Sequence, residues 1–379
     1  MPINPFKLER YFARYEFSVK FLLSSSDCES LTLAELLEMA SPASRELWTG
    51  LKLSYTESQG HPLLREAVAG LYSGISPENV LIAVPEEAIF VAMQTLLAPG
   101  DHVVAVSPAY QSLTEIAVSL GCTVTPWRLE AASGGWRLNL ETLEASLTEK
   151  TRLLVLNFPN NPTGFLPTRA EFDAVLAIAR RHGLTVFSDE MYRLLEPDPA
   201  LRLPSVAEVY ENGVALSGLS KAFALPGLRM GWLTTQQPEL IQRWLAFKDY
   251  TTICHSAPSE ILALMALENT ERITARNREI IRENLAAAET FFGAYADWFE
   301  WLAPQAGSIA FLRWRGRGPV EQFCDELVQA EGVLLVPGSL FDFPGGYLRV
   351  GLGRKNFREG LEHLAAYLDA AVLKTSEVP

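Results

Sequence analysis

The chain reads as an α/β protein. A large domain with a mostly parallel sheet flanked by helices is joined to a smaller α+β domain. Two patterns carry this. Through the middle of the sequence, short runs that would be apolar on both faces alternate with helical stretches. Near residue 259 the alternation stops, and a long helical run is followed by strands in meander-like order. The length, 379 residues, suits one large core with a second domain.

Taken in order, "TLAELLEMA" opens with a capping box from Thr32 to Glu35, and it is expected to pack on the small domain. "NVLIAV" is a strand and "EEAIFVAMQTLLA" a helix. "HVVAVS" is a strand, "YQSLTEIAVSLG" a helix ending at Gly121, and "TVTPWRL" follows. "RLLVLNF" stops at "PNNPTG", "AEFDAVLAIARRHG" is an amphipathic helix, and "LTVFSDE" and "GVALSG" are further strands. Beyond the helical run come "SIAFLRW", a helix in "VEQFCDELVQAEG", "VLLVP", "GYLRVGLG" and a last helix in "NFREGLEHLAAYLDAAVL". Residues 46–267 are expected to form the large domain, and 1–45 with 268–379 the small one.

Charge and composition narrow the function. There are 32 basic and 45 acidic residues, a net charge of −13. Such a chain repels nucleic acid and anionic membranes on average, so an anionic ligand needs a local site. The first residues are too charged for a leader peptide, and no apolar run approaches membrane-spanning length. Four scattered cysteines suggest reduced thiols in the cytoplasm, and the five histidines lack metal-ligand spacing.

The chemistry collects at strand ends, where ligands gather in parallel sheets. After one strand stands Asn157-Phe158-Pro159-Asn160-Asn161-Pro162-Thr163-Gly164, and after the next Asp189-Glu190-Met191-Tyr192. Lys221 follows "GVALSG", and Arg349 lies just inside the turn at Gly351. Each has a bland alternative: a plain turn, a helix cap, a surface lysine, an edge-strand charge. Their conjunction is what points to a site.

"SGLSKAFALPGLRMGW", "NFPNNPTG" and "SDEMY", with "YTESQGHPLLREAV", "VSPAY" and "YLRVGLG", run in order from Tyr55 to Gly353. Together they resemble the pyridoxal-phosphate-dependent class I/II aminotransferases of fold type I. The "LPGLRMGW" wording and the N-terminus are also similar to a capreomycidine-synthase-like and amino-acid-phosphate-decarboxylase-like branch. The resemblance implies transfer of an amino group between an amino acid and a 2-oxo acid. Lys221 then forms the Schiff base with the cofactor, and Asp189 faces its pyridine nitrogen. Tyr192 and Asn161 serve its phenolate oxygen, Tyr110 stacks on its ring, and Arg229 grips its phosphate. Arg349, with Asn161, clamps the substrate carboxylate. Tyr55 reaches the phosphate of a neighbouring subunit, which implies a homodimer.

Two departures from the family pattern concern the phosphate. The usual glycine-rich turn is replaced by Val84-Pro85-Glu86-Glu87-Ala88. Pro85 suits the first turn of a helix, and the N–H groups of Glu86 and Glu87 can bind an anion if their carboxylates point away. The serine expected three residues before the lysine is Gly218, with Ser217 and Ser220 beside it.

Other readings stay open. The same residues serve β-elimination, β-replacement, decarboxylation or cyclisation on the same cofactor. "VALSGLSKA" is also compatible with a hydrolase elbow at Ser220, without an oxyanion segment to support it. A ligand-sensing regulator lacks the basic DNA-binding domain it would need. Cys254 and His255 read as packing or rim, and Arg243 and Lys248 as surface charges or a hold for a second carboxylate. Residues near Phe17, Ser25 and Asp27, and the segment "KDYTTICHS", are expected at the substrate end by analogy.

Overall fold

The protein is described by a computed structural model covering residues 3–132 and 134–376. Its strands are β1 (Val80–Ala83), β2 (His102–Ser107), β3 (Thr123–Arg128), β4 (Glu130–Ala132), β5 (Gly135–Arg137), β6 (Thr151–Asn157) and β7 (Thr185–Asp189). They continue with β8 (Gly213–Gly218), β9 (Gly231–Thr235), β10 (Phe299–Glu300), β11 (Ile309–Trp314), β12 (Val336–Pro337) and β13 (Tyr347–Gly351). Seven form one sheet in the order β1-β9-β8-β7-β6-β2-β3. β2, β3, β6, β7 and β8 run parallel, as the two-sided apolar runs require. β1 and β8 and the strand between them, β9, are buried along their whole length. The Pro85–Leu96 helix packs on β8, β9 and the Ser112–Ser119 helix, and the Pro238–Lys248 helix covers β1 and β9.

The second sheet is antiparallel, in the order β10-β11-β13-β12, so β13 is an interior strand and not an edge. The Val320–Glu331 helix packs on β12 and on the Phe357–Ser376 helix, which also meets the Thr270–Ala294 helix. The long helical run of the sequence is therefore two helices, Ala257–Glu268 and Thr270–Ala294.

Three features differ from the sequence expectation. β9 pairs antiparallel with both β8 and β1; it is only five residues long and follows directly on a turn, so no period announces it. β4 and β5 form a small hairpin whose three-residue strands are too short to show alternation. The Leu33–Met39 helix does carry the Thr32–Glu35 capping box. It and the Pro42–Thr49 helix, however, pack on Ala257–Glu268 and not on the small sheet. Asn269 Nδ2 donates to the Met39 carbonyl at 3.1 Å, and Ser44 Oγ to Glu268 at 2.9 Å.

The N-terminal segment instead reaches across the molecule. The Lys7–Tyr15 helix is tied to the large sheet's side by the Lys7 amide, which donates to Gln111 Oε1 at 2.9 Å. Its Lys7 side chain pairs with Asp342 beside the small sheet. Phe21 then bridges Val333 in parallel, and the Leu23 carbonyl accepts from the Gly351 amide.

Candidate active site

The carboxyl ends of β6, β7 and β8 lie side by side, with Asn157 opposite Asp189 and Asp189 opposite Leu216. A cavity of about 600 Å³ opens there, lined among others by Tyr110, Asn161, Asp189, Lys221, Arg229 and Arg349. The turn after β6 builds part of its wall. Asn157 Nδ2 donates to the Asp189 carbonyl at 3.1 Å, and Asn157 Oδ1 accepts from the Asn161 amide at 2.8 Å.

Asp189 is buried, and its Oδ1 accepts from the Met191 amide at 3.1 Å. Burial pushes its carboxyl up to about 6, against that N–H and the nearby Lys221 amine, which pull it down. Burial likewise lowers the Lys221 amine. Lys221 Nζ donates to Ser26 Oγ at 2.8 Å. Arg229 closes the Pro226–Leu228 turn in the left-handed region, at φ 52°, and its Nη1 donates to the Pro226 carbonyl at 2.9 Å. Its side chain stays exposed along the cavity.

Arg349 is 1% exposed on the interior strand β13. Its Nη1 donates to Asn161 Oδ1 at 3.0 Å and its Nη2 to the Ser24 carbonyl at 2.8 Å. The Phe341 and Phe12 rings flank its guanidinium, at 5.4 and 5.8 Å from their centroids. Its Nε is buried without a partner. Tyr110 donates from its hydroxyl to Glu9 Oε1 at 2.8 Å, and Phe6 packs on its ring. Tyr192 is buried next to Ser26, Arg349 and Asp189; its hydroxyl faces Ser26 but completes no well-formed hydrogen bond among the described residues.

The phosphate end explains both departures. Pro85 is the first residue of its helix. A Cβ on Gly218 would lie 2.9 Å from the Met230 carbonyl oxygen and 3.0 Å from Gly231 Cα, so no hydroxyl fits there. Ser217 Oγ is turned to the Glu190 carbonyl, while Ser220 Oγ is buried, unpartnered and on the cavity wall. Glu87 points away, accepting from Thr251 and Thr252. Glu86 does not: it lines the cavity and accepts from Ser112 Oγ at 3.3 Å, and burial pushes its carboxyl up to about 7.

Other expectations divide. Ser25 and Asp27 line the cavity, but Phe17 is 93% exposed and no residue of 248–256 reaches it. Lys248 is fully buried, donating to the Ser58 and Ile253 carbonyls, so it is neither a surface charge nor a carboxylate hold. His255 also lies off the cavity, with burial pressing its imidazole down to about 4. Tyr55 is 89% exposed and outside the cavity of its own chain. Sequence reasoning missed Glu9 and Phe12 on the cavity wall, and placed Glu16 and Ser26 there only as neighbours of Phe17, Ser25 and Asp27. No periodicity marks them, and the helix amphipathicity of Lys7–Tyr15 is the only signal that could have drawn attention there.

These residues fit pyridoxal phosphate. Ser220 Oγ, Tyr192 hydroxyl and Arg349 Nε are buried polar atoms without partners, a costly state that a ligand relieves. The first two suit a phosphate and a phenolate oxygen, and the third a carboxylate.

Comparison with known proteins decides the family. The family model of aminotransferase class I and II matches residues 18–368. The chain belongs to that family. It is therefore a pyridoxal-phosphate-dependent enzyme, and transamination is its family's chemistry. Capreomycidine synthase of Streptomyces vinaceus is 30% identical over 374 residues, covering 97% of this chain and 93% of the relative. A pyridoxal-phosphate-dependent aminotransferase structure from Streptococcus suis superposes with a TM-score of 0.91 at 33% identity, covering 98% and 99% of the two chains. The structure of the pyridoxal-phosphate-dependent cyclase OrfR gives 0.90 at 28% identity, covering 98% of each.

Proposed function

We propose that this enzyme moves an amino group between an amino acid and a 2-oxo acid, with Lys221 as the reacting amine. The observation that carries it is one cavity holding the Lys221 amine, the buried Asp189 carboxyl and an arginine, Arg349, with an unsatisfied N–H. Bound pyridoxal phosphate supplies an aldehyde for the amines and a ring that takes up the electron pair left at the substrate carbon.

The chain's residues do the rest. Asp189 holds a proton on the pyridine nitrogen, and its burial makes that charge partnership strong. Arg229 and Ser220 would receive the phosphate, joined by the N–H groups at the start of the Pro85–Leu96 helix with the Glu86 carboxyl, raised to about 7 by burial, protonated or turned aside. Tyr192 and Asn161 donate to the phenolate oxygen. Tyr110, held by Glu9, would supply the ring's aromatic packing partner. Arg349 orients the substrate carboxylate so that its Cα–H faces the Lys221 amine, which takes and returns the proton. Phe6, Leu8 and Phe12 keep bulk water from that side.

The substrate end is acidic. Glu9, Glu16 and Asp27 line it, and among the described residues only Asp27 of the three has an ion-pair partner, Arg354 at 3.0 Å. Glu16 makes no ion pair or side-chain hydrogen bond among the described residues; burial and then the Asp27 charge lift its carboxyl above the usual range. This supports an amino acid with a cationic side chain. We further propose a cytoplasmic homodimer in which Tyr55 serves the partner's phosphate. The exposed Leu53, Tyr55 and Tyr250 support an interface, and the unpaired cysteines a reducing compartment.

A second reading, cyclisation, is favoured by the likeness to the cyclase. It uses the same anchors and differs in which substrate bond breaks. A hydrolase built on Ser220 finds no support, since no histidine lines the cavity. The test is a panel of amino acids added to the cofactor-loaded enzyme, following loss of its visible absorbance and formation of pyridoxamine phosphate. Amino transfer predicts that product with release of the 2-oxo acid. A cyclic or ammonia-releasing outcome without it would select the second reading.

A further inference from the structure

Ser26 meets the reacting amine from the side opposite the large sheet. Lys221 Nζ donates to its Oγ at 2.8 Å, across 195 residues of sequence. Among the described residues, no carboxylate lies within ion-pair distance of that amine. Main-chain contacts hold Ser26 in place. Its carbonyl accepts from Ser308 Oγ at 2.6 Å, and the Ser24 carbonyl accepts from Arg349 at 2.8 Å. A Cβ on Gly351 would come within 1.9 Å of the Ser25 carbonyl oxygen, so the segment sits there only because that strand residue is glycine. Changing the Ser26 side chain leaves these contacts intact.

We infer that Ser26 is a positioning residue for Lys221, its hydroxyl accepting one N–H of the amine whenever the amine is free. The choice of a hydroxyl has a chemical reason. An amine that must take a proton needs its lone pair in the cavity and must stay uncharged until then. A carboxylate partner would favour the ammonium form; a neutral acceptor fixes the nitrogen with far less bias. Burial pushes the amine the same way. The charges facing it are mixed: Asp27 and Glu9 favour the ammonium form, Arg349 and Arg229 oppose it. With Tyr192 alongside, Ser26 gives the amine one fixed direction. The inference rests on Lys221 being the reacting amine.

The test uses Ser26→Ala, Ser26→Thr and Ser26→Asp. In the cofactor-loaded enzyme, Ser26→Ala should lower the rate constant of the first half-reaction about tenfold or more, with half-saturation nearly unchanged, and Ser26→Thr should restore most of it. In the cofactor-free protein, the pH dependence of reductive methylation at Lys221 reports the amine directly. Its midpoint should fall in Ser26→Ala and rise in Ser26→Asp. A half-reaction within twofold of the parent in Ser26→Ala, equal losses in the alanine and threonine variants, or a midpoint unmoved in both Ala and Asp variants would overturn it. Full turnover in Lys221→Ala would instead remove the reading of Lys221 itself.

Discussion

The two walls of the cavity are built in different ways. The large-sheet wall presents Asp189, Ser220, Lys221 and Arg229, each at or just beyond the end of a buried parallel strand or its following turn. The opposite wall combines Arg349 of β13 with Glu9, Phe12, Glu16, Ser25, Ser26 and Asp27 from the N-terminal segment. The first wall is positioned by a ladder of backbone hydrogen bonds and, on the proposed reading, holds the cofactor. In the second, β13 sets Arg349 while single long-range contacts position the N-terminal residues, and on the proposed reading it faces substrate and amine. Side chains set by a sheet are held by many cooperating backbone bonds; those set by the strap each depend on a few contacts.

The difference can be broken from either side. The largest effect is expected at the anchored wall: Lys221→Ala should abolish the visible absorbance of the bound cofactor and lower turnover by about a thousandfold or more. A coloured, active variant would contradict it.

Asp189→Asn separates chemistry from stability on the same wall. Turnover should fall strongly with little change in substrate half-saturation. In the cofactor-free protein the folded carboxyl sits at about 6, raised from 3.8. At pH 5 it is protonated when folded and ionised when unfolded. Its favourable contribution is therefore complete below about pH 4 and lost as pH rises through about 6. Up to about 3 kcal/mol is involved, so above pH 6 the cofactor-free asparagine variant should melt at or above the parent. Melting well below the parent there would contradict this origin of the shift.

On the strap side, Gly351→Ala forces the Ser25 carbonyl away. It should raise substrate half-saturation and slow the half-reaction while leaving the cofactor's absorbance in place. Bleaching instead would mean that the strap also holds the cofactor.

Much of the anchored wall was legible in the sequence, because two-sided apolar runs announce parallel strands and "SDEMY" and "LSKAFALPGLR" sit at their ends. Arg349 was legible as a residue, though its place on an interior strand was not. The pleat and the close pairing of β8 with the unforeseen β9 decide which serine faces the cavity, and they leave Gly218 no room for a side chain. Glu16 and Ser26 were legible only as part of a segment, and their own partners were hidden for another reason. Their neighbours are set by tertiary contacts spanning most of the chain, and the segment that carries them is too short and irregular for periodicity to register.

The central claim is that cofactor binding and substrate selection reside on separate walls. It is tested most directly by measuring cofactor affinity and the preference for arginine over its neutral analogue citrulline in two variants side by side. Arg229→Ala should weaken cofactor binding and leave that preference unchanged. Glu16→Gln should leave cofactor affinity unchanged and reduce the preference about tenfold or more. Loss of cofactor affinity in Glu16→Gln comparable to that in Arg229→Ala would contradict the division.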